Sequence, residues 1–198
     1  TGVTVVTTLD EAGQPVGLTA NSFSSVSLDP PLILFCLARS STNVDRFRRA
    51  EHFAINVLHI GQQPTSGVFA RSQADRFQDV AWETWDTGAP ILSGALASFE
   101  CGTEQIVEAG DHTILIGRIE AFHATPAPGL GYYRGTYFTP VATQALSTFL
   151  LPSTSTEYSN SRLDPLPGVT MDAKCTTLSM AWSASVCASA GSRTSCTR

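Results

Sequence analysis

The chain lacks the basic character that nucleic-acid binding requires. Its 198 residues carry a formal net charge of −5, and Lys174 is its one lysine. Sequence-independent affinity for nucleic acid comes from neutralising phosphates with basic side chains. The sequence contains no basic run that could do so, and we therefore expect no nucleic-acid partner.

Long apolar runs are also missing. The longest, residues 32–38, has the length of a strand, whereas a transmembrane helix needs roughly 18 apolar residues. No signal peptide is visible. The chain begins at Thr1 inside a strand-like run, so we expect that an initiator Met and some N-terminal residues precede it. We predict a cytoplasmic protein without a membrane span.

Metal-binding and disulfide motifs are absent as well. The five cysteines show no C-x-x-C spacing and no metal-ligand spacing with the four histidines. Cys36 lies within an apolar run, where a buried free thiol is the ordinary expectation. The sequence therefore predicts reduced thiols and no metal site.

The composition changes abruptly after Pro140. Residues 1–140 contain eight arginines and no lysine, whereas residues 141–198 hold 20 Ser or Thr and three of the five cysteines. The second composition does not bury enough apolar surface to offset the entropy of ordering. We expect one folded domain over residues 1–140 and a Ser/Thr-rich tail over residues 141–198. That tail is either disordered or an aberrant, frame-shifted terminus.

Strands joined mostly by hairpins dominate residues 1–140. β-Branched or alternating segments predict strands at residues 3–9, 16–23, 32–38, 53–59, 96–107 and 112–124, with an edge segment at 132–137. Short helices are expected at residues 43–50, where Thr42 and Asp45 resemble a capping box, and at 61–71. Residues 72–94 form an irregular excursion. The pattern predicts a mainly β fold, an antiparallel barrel with a few short helices.

Two polar segments are candidates for chemistry. Residues 18–31 combine six small hydroxyl or amide side chains with a Pro-Pro stop, which would let a flat ligand approach the backbone. A polar loop that satisfies its own backbone has the same composition. In residues 38–42, Arg39 and three hydroxyls precede a helix and would suit a phosphate. Plain N-capping by Thr42 accounts for one of those hydroxyls.

A turn supplies the third candidate. The turn Gly110-Asp111-His112 precedes a predicted strand. His112 would therefore lie at the start of that strand, where its side chain can contact a ligand. A lone histidine is nevertheless more often structural. The sequence contains no G-x-G-x-x-G or P-loop pattern and no evident nucleophile–base pair. That absence is typical of an enzyme whose cofactor performs the chemistry.

In their order along the chain, these segments resemble the short-chain flavin reductase family, the reductase components of two-component flavin-dependent monooxygenases. The matching stretches are residues 1–8, 19–23, 25–31, 53–58, 110–112 followed by Gly117, and 132–135. Each motif is weak alone, and the ordered set is specific. The resemblance covers residues 1–137 and predicts nothing for residues 141–198.

The resemblance implies a split β-barrel that binds FMN or FAD as a homodimer, with the flavin near the subunit interface. The residues that it implies for the isoalloxazine are Thr19, Ala20, Asn21, Ser22, Ser27 and Leu28. Those that it implies for the phosphate or its surroundings are Ala38, Arg39, Ser41, Thr42, Phe69 and Arg71. His112 matches the family's histidine near the nicotinamide and would position NADH or NADPH.

The resemblance also implies a function. We expect an NAD(P)H:flavin oxidoreductase that supplies reduced flavin to a partner monooxygenase. The alternative is a non-catalytic flavin- or haem-binding split barrel that acts as a carrier or sensor. Both share one fold, so the fold by itself does not separate them.

Overall fold

Strands form most of the described chain. The computed structural model describes residues 1–71, 75–140 and the backbone of 194–195. The strands are β1 (Thr4–Leu9), β2 (Pro15–Ala20), β3 (Ser24–Leu28), β4 (Pro31–Ala38), β5 (His52–Val57), β6 (Trp82–Thr84), β7 (Pro90–Leu92), β8 (Ala97–Ala109), β9 (His112–Ala124), β10 (Gly131–Tyr133), β11 (Thr136–Phe138) and β12 (Thr194–Ser195). The helical segments are α1 (Val44–Arg49), a 3-10 turn (Ile60–Gln62) and α2 (Gln63–Ala70).

One antiparallel sheet carries the fold. Its strands follow the order β2-β1-β5-β8-β9-β4-β3, and β12 pairs with β9 at Phe122 and Ala121, beyond the end of β4. The pairs β6–β7 and β10–β11 form two small separate sheets. The prediction of a mainly β, antiparallel architecture with few short helices is confirmed.

The main core fills the interior of the curled sheet. Phe35 of β4 packs edge-on against Phe47 of α1 and Phe53 of β5, with ring centroids 5.6 and 5.4 Å apart. Gly117 of β9 lies beside this group, and a Cβ there would come within 2.4 Å of the Phe53 ring. Phe47 therefore anchors helix α1 to the interior cluster, and the missing side chain of Gly117 leaves room for the Phe53 ring.

A second apolar cluster lies outside the barrel, on the opposite face of β1. Val3 and Val5 pack there with Phe69 of α2 and with Leu130, which precedes β10. Val6, which points the other way, belongs to the interior cluster. Strand β1 is thus buried on both faces, and α2 is anchored to it through Phe69.

The outward face of β4 and β9 is apolar. Leu34 and Cys36 alternate with residues of the interior cluster, so they point away from it. They lie in register with Ile116 and Ile114, respectively. All four residues are half-buried in the single chain. We call them the outer apolar face.

The sequence prediction was wrong in three places. Strand β3 lies within the polar segment of residues 18–31, where no strand was expected beyond residue 23, and short strands β6 and β7 interrupt the expected excursion. Strand β3 pairs only with β4 at the edge of the sheet, and none of its residues is buried, so its sequence carries no buried face that would reveal it. The cap of α1 is Asn43, without a side-chain capping bond. Its Oδ1 accepts a hydrogen bond from Arg46 instead, at 3.0 Å.

No helix in the described ranges is long and apolar enough to cross a membrane. The prediction of a disordered or aberrant tail falls almost wholly on residues outside those that the structure describes.

Candidate functional site

A cavity of about 250 Å³ opens between the end of β2, the loop after β4, and α2. Its lining residues come from distant parts of the sequence: Leu18, Thr19, Ser40, Ser41, Thr42, Asn43, Phe69, Ala70 and Arg76. Thr19, Ser41, Thr42 and Phe69 among them are predicted site residues. The fold therefore brings together the strand end, the hydroxyl loop and the helix end that the sequence singles out separately.

The hydroxyls that line the cavity differ in whether they already form hydrogen bonds within the protein. Thr19 Oγ1 donates to the carbonyl of Ser66 at 2.7 Å, and Ser41 Oγ accepts from the Asn43 amide at 3.3 Å. Ser40 and Thr42 carry hydroxyls without a hydrogen bond in the part of the chain that the structure describes. These two hydroxyls are free to donate to a ligand.

Helix α1 contributes little to anion binding in this cavity. It has only six residues, and the helix dipole is the sum of aligned peptide dipoles. The expected attraction of a phosphate to a helix N-terminus is therefore weak here. Positive charge has to come from a side chain.

Arg76 supplies that charge, and the sequence prediction missed it. Its Nη1 donates to the carbonyl of Gly17. Its Nε is buried and has no hydrogen-bond partner among the described residues. Burial lowers the pKa of Arg76, but a guanidinium remains protonated at neutral pH. Arg76 lies in the region expected to be irregular, where no periodic pattern indicates which side chains turn inward.

Arg39 lies elsewhere, although the sequence assigned it to the phosphate. Its Nε is 3.6 Å from Glu108 Oε2, and its Nη1 donates to the Gly110 carbonyl at 3.5 Å. Glu108 also binds Arg48, and this hydrogen bond is the main cause that lowers the pKa of Glu108. Arg71 is exposed after α2 and does not line the cavity.

His112 begins β9 directly opposite Ala38 of β4. Its Nδ1 is 2.8 Å from Asp111 Oδ1, and this hydrogen bond holds the pKa of Asp111 below its ordinary value. The contact orients the ring and directs Nε2 away from Asp111. Because the loop after Ala38 leads into the cavity, His112 and the cavity lie at the same end of β4.

Ser22 fastens the link between β2 and β3 to β4. Its Oγ accepts from the Cys36 amide at 2.9 Å and donates to the Cys36 carbonyl at 3.1 Å. Of the two residues that precede Ser22, Ala20 is buried and Asn21 is exposed. For Ser22, the polar segment therefore acts as a loop whose side chain satisfies backbone groups. Asn21 is exposed, and its side-chain amide is available to a ligand.

Ser27 and Leu28 are not brought to this place within one chain. They pair with Leu32 and Pro31, at the start of β4. Ala38 lies at the other end of that strand, roughly 20 Å away at the usual rise per residue. The predicted residues therefore divide into a group near the cavity and His112, and a distant pair.

A split antiparallel barrel with a hydroxyl-lined cavity, a half-buried arginine and a histidine at the start of a strand has the features of a nucleotide-cofactor-binding barrel. The family model of the flavin reductase-like domain matches residues 1–140. The chain belongs to this family.

The relatives include reductase components of monooxygenases. The reductase component of the flavin-dependent trigonelline monooxygenase of Acinetobacter baylyi is 52% identical over 140 residues, which are 71% of this chain and 45% of that protein. The reductase subunit of stachydrine N-demethylase from Rhizobium meliloti is 50% identical over 149 residues, 75% of this chain and 65% of that protein. The chain thus spans about half the length of the first relative and under two thirds of the second.

Solved structures agree with the fold. An NADH:FAD oxidoreductase of Streptomyces globisporus, in complex with NAD and FAD fragments, superposes with a TM-score of 0.68 at 38% identity. The match covers 73% of this chain and 87% of that one. The split-barrel prediction is therefore confirmed.

Proposed function

We propose that this chain is an NAD(P)H:flavin oxidoreductase that supplies reduced FMN or FAD to a partner monooxygenase. The observation that carries the proposal is the common location of the arginine-bearing cavity and His112 at one end of β4. The names of two relatives, the reductase component of a flavin-dependent monooxygenase and the reductase subunit of an N-demethylase, support the role of a partner. The structure with NAD and FAD fragments supports both nucleotides as ligands.

The residues of the cavity fit the phosphate end of a flavin. The orphaned Nε of Arg76 and the hydroxyls of Ser40 and Thr42 are donors that lack acceptors among the described residues. The Arg76 Nε is buried and costly without an acceptor, whereas the two hydroxyls are exposed, and a phosphate would accept hydrogen bonds from these groups. From the cavity, the ring would extend along Asn21 towards Ala38. Bound there, the flavin supplies the hydride acceptor.

His112 would hold the nicotinamide beside that ring. Asp111 fixes the orientation of the imidazole, so that Nε2 is available to hydrogen-bond a polar group of the dinucleotide. Hydride transfer requires neither a nucleophile nor an obligatory acid from the protein. The chain's contribution is to bring the two rings together and to keep water away.

The functional unit that we propose is a homodimer. The outer apolar face of Leu34, Cys36, Ile114 and Ile116 is half-buried in the single chain, and aliphatic patches of this kind are typical of protein interfaces. It adjoins Ala38 and His112 along the same two strands, so a second copy placed there would border the flavin. Cys36 and Cys101 are free thiols, which is consistent with a cytoplasmic location.

Steady-state assays with each combination of FMN or FAD and NADH or NADPH test the proposal. We expect one pair to support rapid oxidation of the nicotinamide. Flavin binding without reduction by either nicotinamide would instead indicate the carrier or sensor. The same assays identify the preferred flavin and the preferred nicotinamide.

A further inference from the structure

We propose that Glu108 is a positioning residue for the nicotinamide: its carboxylate ties the turn that carries His112 to helix α1 and to the loop after β4. This inference rests on the proposed function, because it concerns the histidine that would hold the dinucleotide. Glu108 belongs to none of the candidate segments in the sequence. It acts through His112 and does not touch the ligand.

The imidazole of His112 receives little support from its neighbours. The residues beside it in register are Ala38 of β4 and Ala109 of β8. Its side-chain hydrogen bond is to Asp111, whose side chain is 94% exposed. Two methyl groups and a solvent-exposed carboxylate do not fix a ring in place. The position of the imidazole therefore depends on the backbone of the turn that precedes it.

Glu108 supports this turn from the opposite face of the β8–β9 hairpin. Side chains alternate between the two faces of a sheet, and directly opposed residues share a face. Glu108 lies opposite Thr113, the buried residue that follows His112. Thr113 Oγ1 donates to Glu108 Oε1 at 3.4 Å. A substitution at Glu108 therefore reaches the face of His112 only through the backbone.

Two arginines from other elements meet at the Glu108 carboxylate. Arg48 of α1 donates to Oε1 through Nη2, and Arg39 Nε lies 3.6 Å from Oε2. Arg39 also holds the turn directly, because its amide donates to the Asp111 carbonyl at 2.9 Å and its Nη1 to the Gly110 carbonyl at 3.5 Å. The carboxylate thus joins α1, the loop after β4 and the turn before His112.

The chain offers a matched ion pair that lies away from this turn. Arg118 of β9 donates to Glu104 of β8 through Nε at 3.0 Å and through Nη2 at 2.9 Å. These side chains are 47% and 38% exposed, close to the 35% and 45% of Arg48 and Glu108. Arg118 lies opposite Leu32, near the start of β4, whereas His112 lies opposite its last residue. Glu104→Gln therefore removes a comparable contact from the same two strands and leaves the turn intact.

Steady-state kinetics of the whole chain test the inference. We expect Glu108→Gln to raise the KM for NADH about threefold, the effect of losing one exposed ion pair. The kcat and the flavin Kd should stay unchanged, because the loss concerns nicotinamide binding alone. Arg48→Gln removes the same contact from the helix side and should raise the KM to a similar extent. Glu104→Gln should leave all three quantities unchanged.

A double-mutant cycle distinguishes positioning from a general structural role. Glu108 acts through the imidazole, so Glu108→Gln should have no further effect on the KM for NADH when it is added to His112→Ala. Residues that act through one another are not additive, whereas independent effects add.

Amide hydrogen exchange of the whole chain, without flavin or nicotinamide, measures the turn itself. The Arg39 amide, which donates to the Asp111 carbonyl, should exchange about threefold faster in Glu108→Gln, because the ion pair no longer opposes local opening. Its exchange in Glu104→Gln should equal that of the unaltered protein. Equal exchange in all three proteins would overturn the inference.

The kinetic outcomes that overturn the inference differ from those that overturn the proposed function. An unchanged KM in Glu108→Gln, an equal increase in Glu104→Gln, or an undiminished increase in the His112→Ala background would refute the role of Glu108. Reduction of flavin by NADH in the unaltered chain would leave the proposed function standing in each of these cases. Failure of the unaltered chain to oxidise NADH or NADPH with either flavin would refute both.

Discussion

Single residues carry the site, and the sequence predicts them unevenly. Thr19, Ser41 and Thr42 were identifiable because short polar side chains cluster where a strand ends or a loop follows one. Arg76 was not identifiable from the sequence. It lies in an irregular segment, where no sequence pattern distinguishes an arginine that faces solvent from one that faces a cavity. Arg39 shows the converse, because Glu108 draws its guanidinium away from the cavity.

Replacement of His112 separates nicotinamide binding from flavin binding. We expect His112→Ala to raise the KM for NADH about tenfold, which corresponds to the loss of one hydrogen bond, with an unchanged flavin Kd. Steady-state kinetics and fluorescence titration measure the two quantities. His123→Ala, an exposed histidine near the far end of β9, is the control. Loss of flavin binding at unaltered NADH affinity would contradict the assigned role.

Glu108 makes a pH-dependent contribution to stability. Its pKa lies below the ordinary value of 4.5, mainly because of the hydrogen bond from Arg48. A lowered folded-state pKa stabilises the protein above the unfolded value, and this stabilisation is lost as the pH falls through the folded one. Glu108→Gln should therefore melt below the unaltered protein at pH 7, and the difference in Tm should shrink below pH 4.5. A Tm difference that stays constant across this range would be inconsistent with the ion pair.

Elements were predictable where one face is buried. The alternation of interior and outward residues fixes β4 and β9, and their continuous or alternating apolar character is visible in the sequence. Strand β3 escaped prediction because none of its residues is buried, and Ser24, Val26 and Leu28 are exposed. Helix α1 is held by Phe47 in the core and not by the expected cap.

The packing of β9 against β5 depends on Gly117. A methyl group there would come within 2.4 Å of the Phe53 ring and 2.9 Å of Cys101 Cβ. We expect Gly117→Ala to lower the free energy of unfolding by about 1–3 kcal/mol, the usual cost of overpacking a core. Urea denaturation measures this.

Gly67 in α2 provides the matched control. A Cβ at Gly67 would contact nothing within 4 Å. Gly67→Ala should therefore stabilise the protein by about 0.5–1 kcal/mol through helix propensity. If both alanine variants lost stability equally, the close approach at Gly117 would not be the cause.

The whole molecule, as we propose it, is a dimer that forms through the outer apolar face. Leu34→Asp places a charge in the centre of that face and should convert dimers into monomers, as measured by analytical ultracentrifugation. Tyr133→Asp alters another exposed hydrophobic residue, 63% accessible, and should leave the dimer intact. Monomers in the unaltered protein, or dimers that persist in Leu34→Asp, would argue against this interface.

Anaerobic stopped-flow mixing of the flavin-loaded protein with NADH tests the central claim most directly. We expect the visible absorbance of the oxidised flavin to disappear in a fast, NADH-dependent phase. The rate at subsaturating NADH should fall in His112→Ala. Flavin that stays oxidised with both NADH and NADPH, although it is bound, would contradict the assignment of this chain as a flavin reductase.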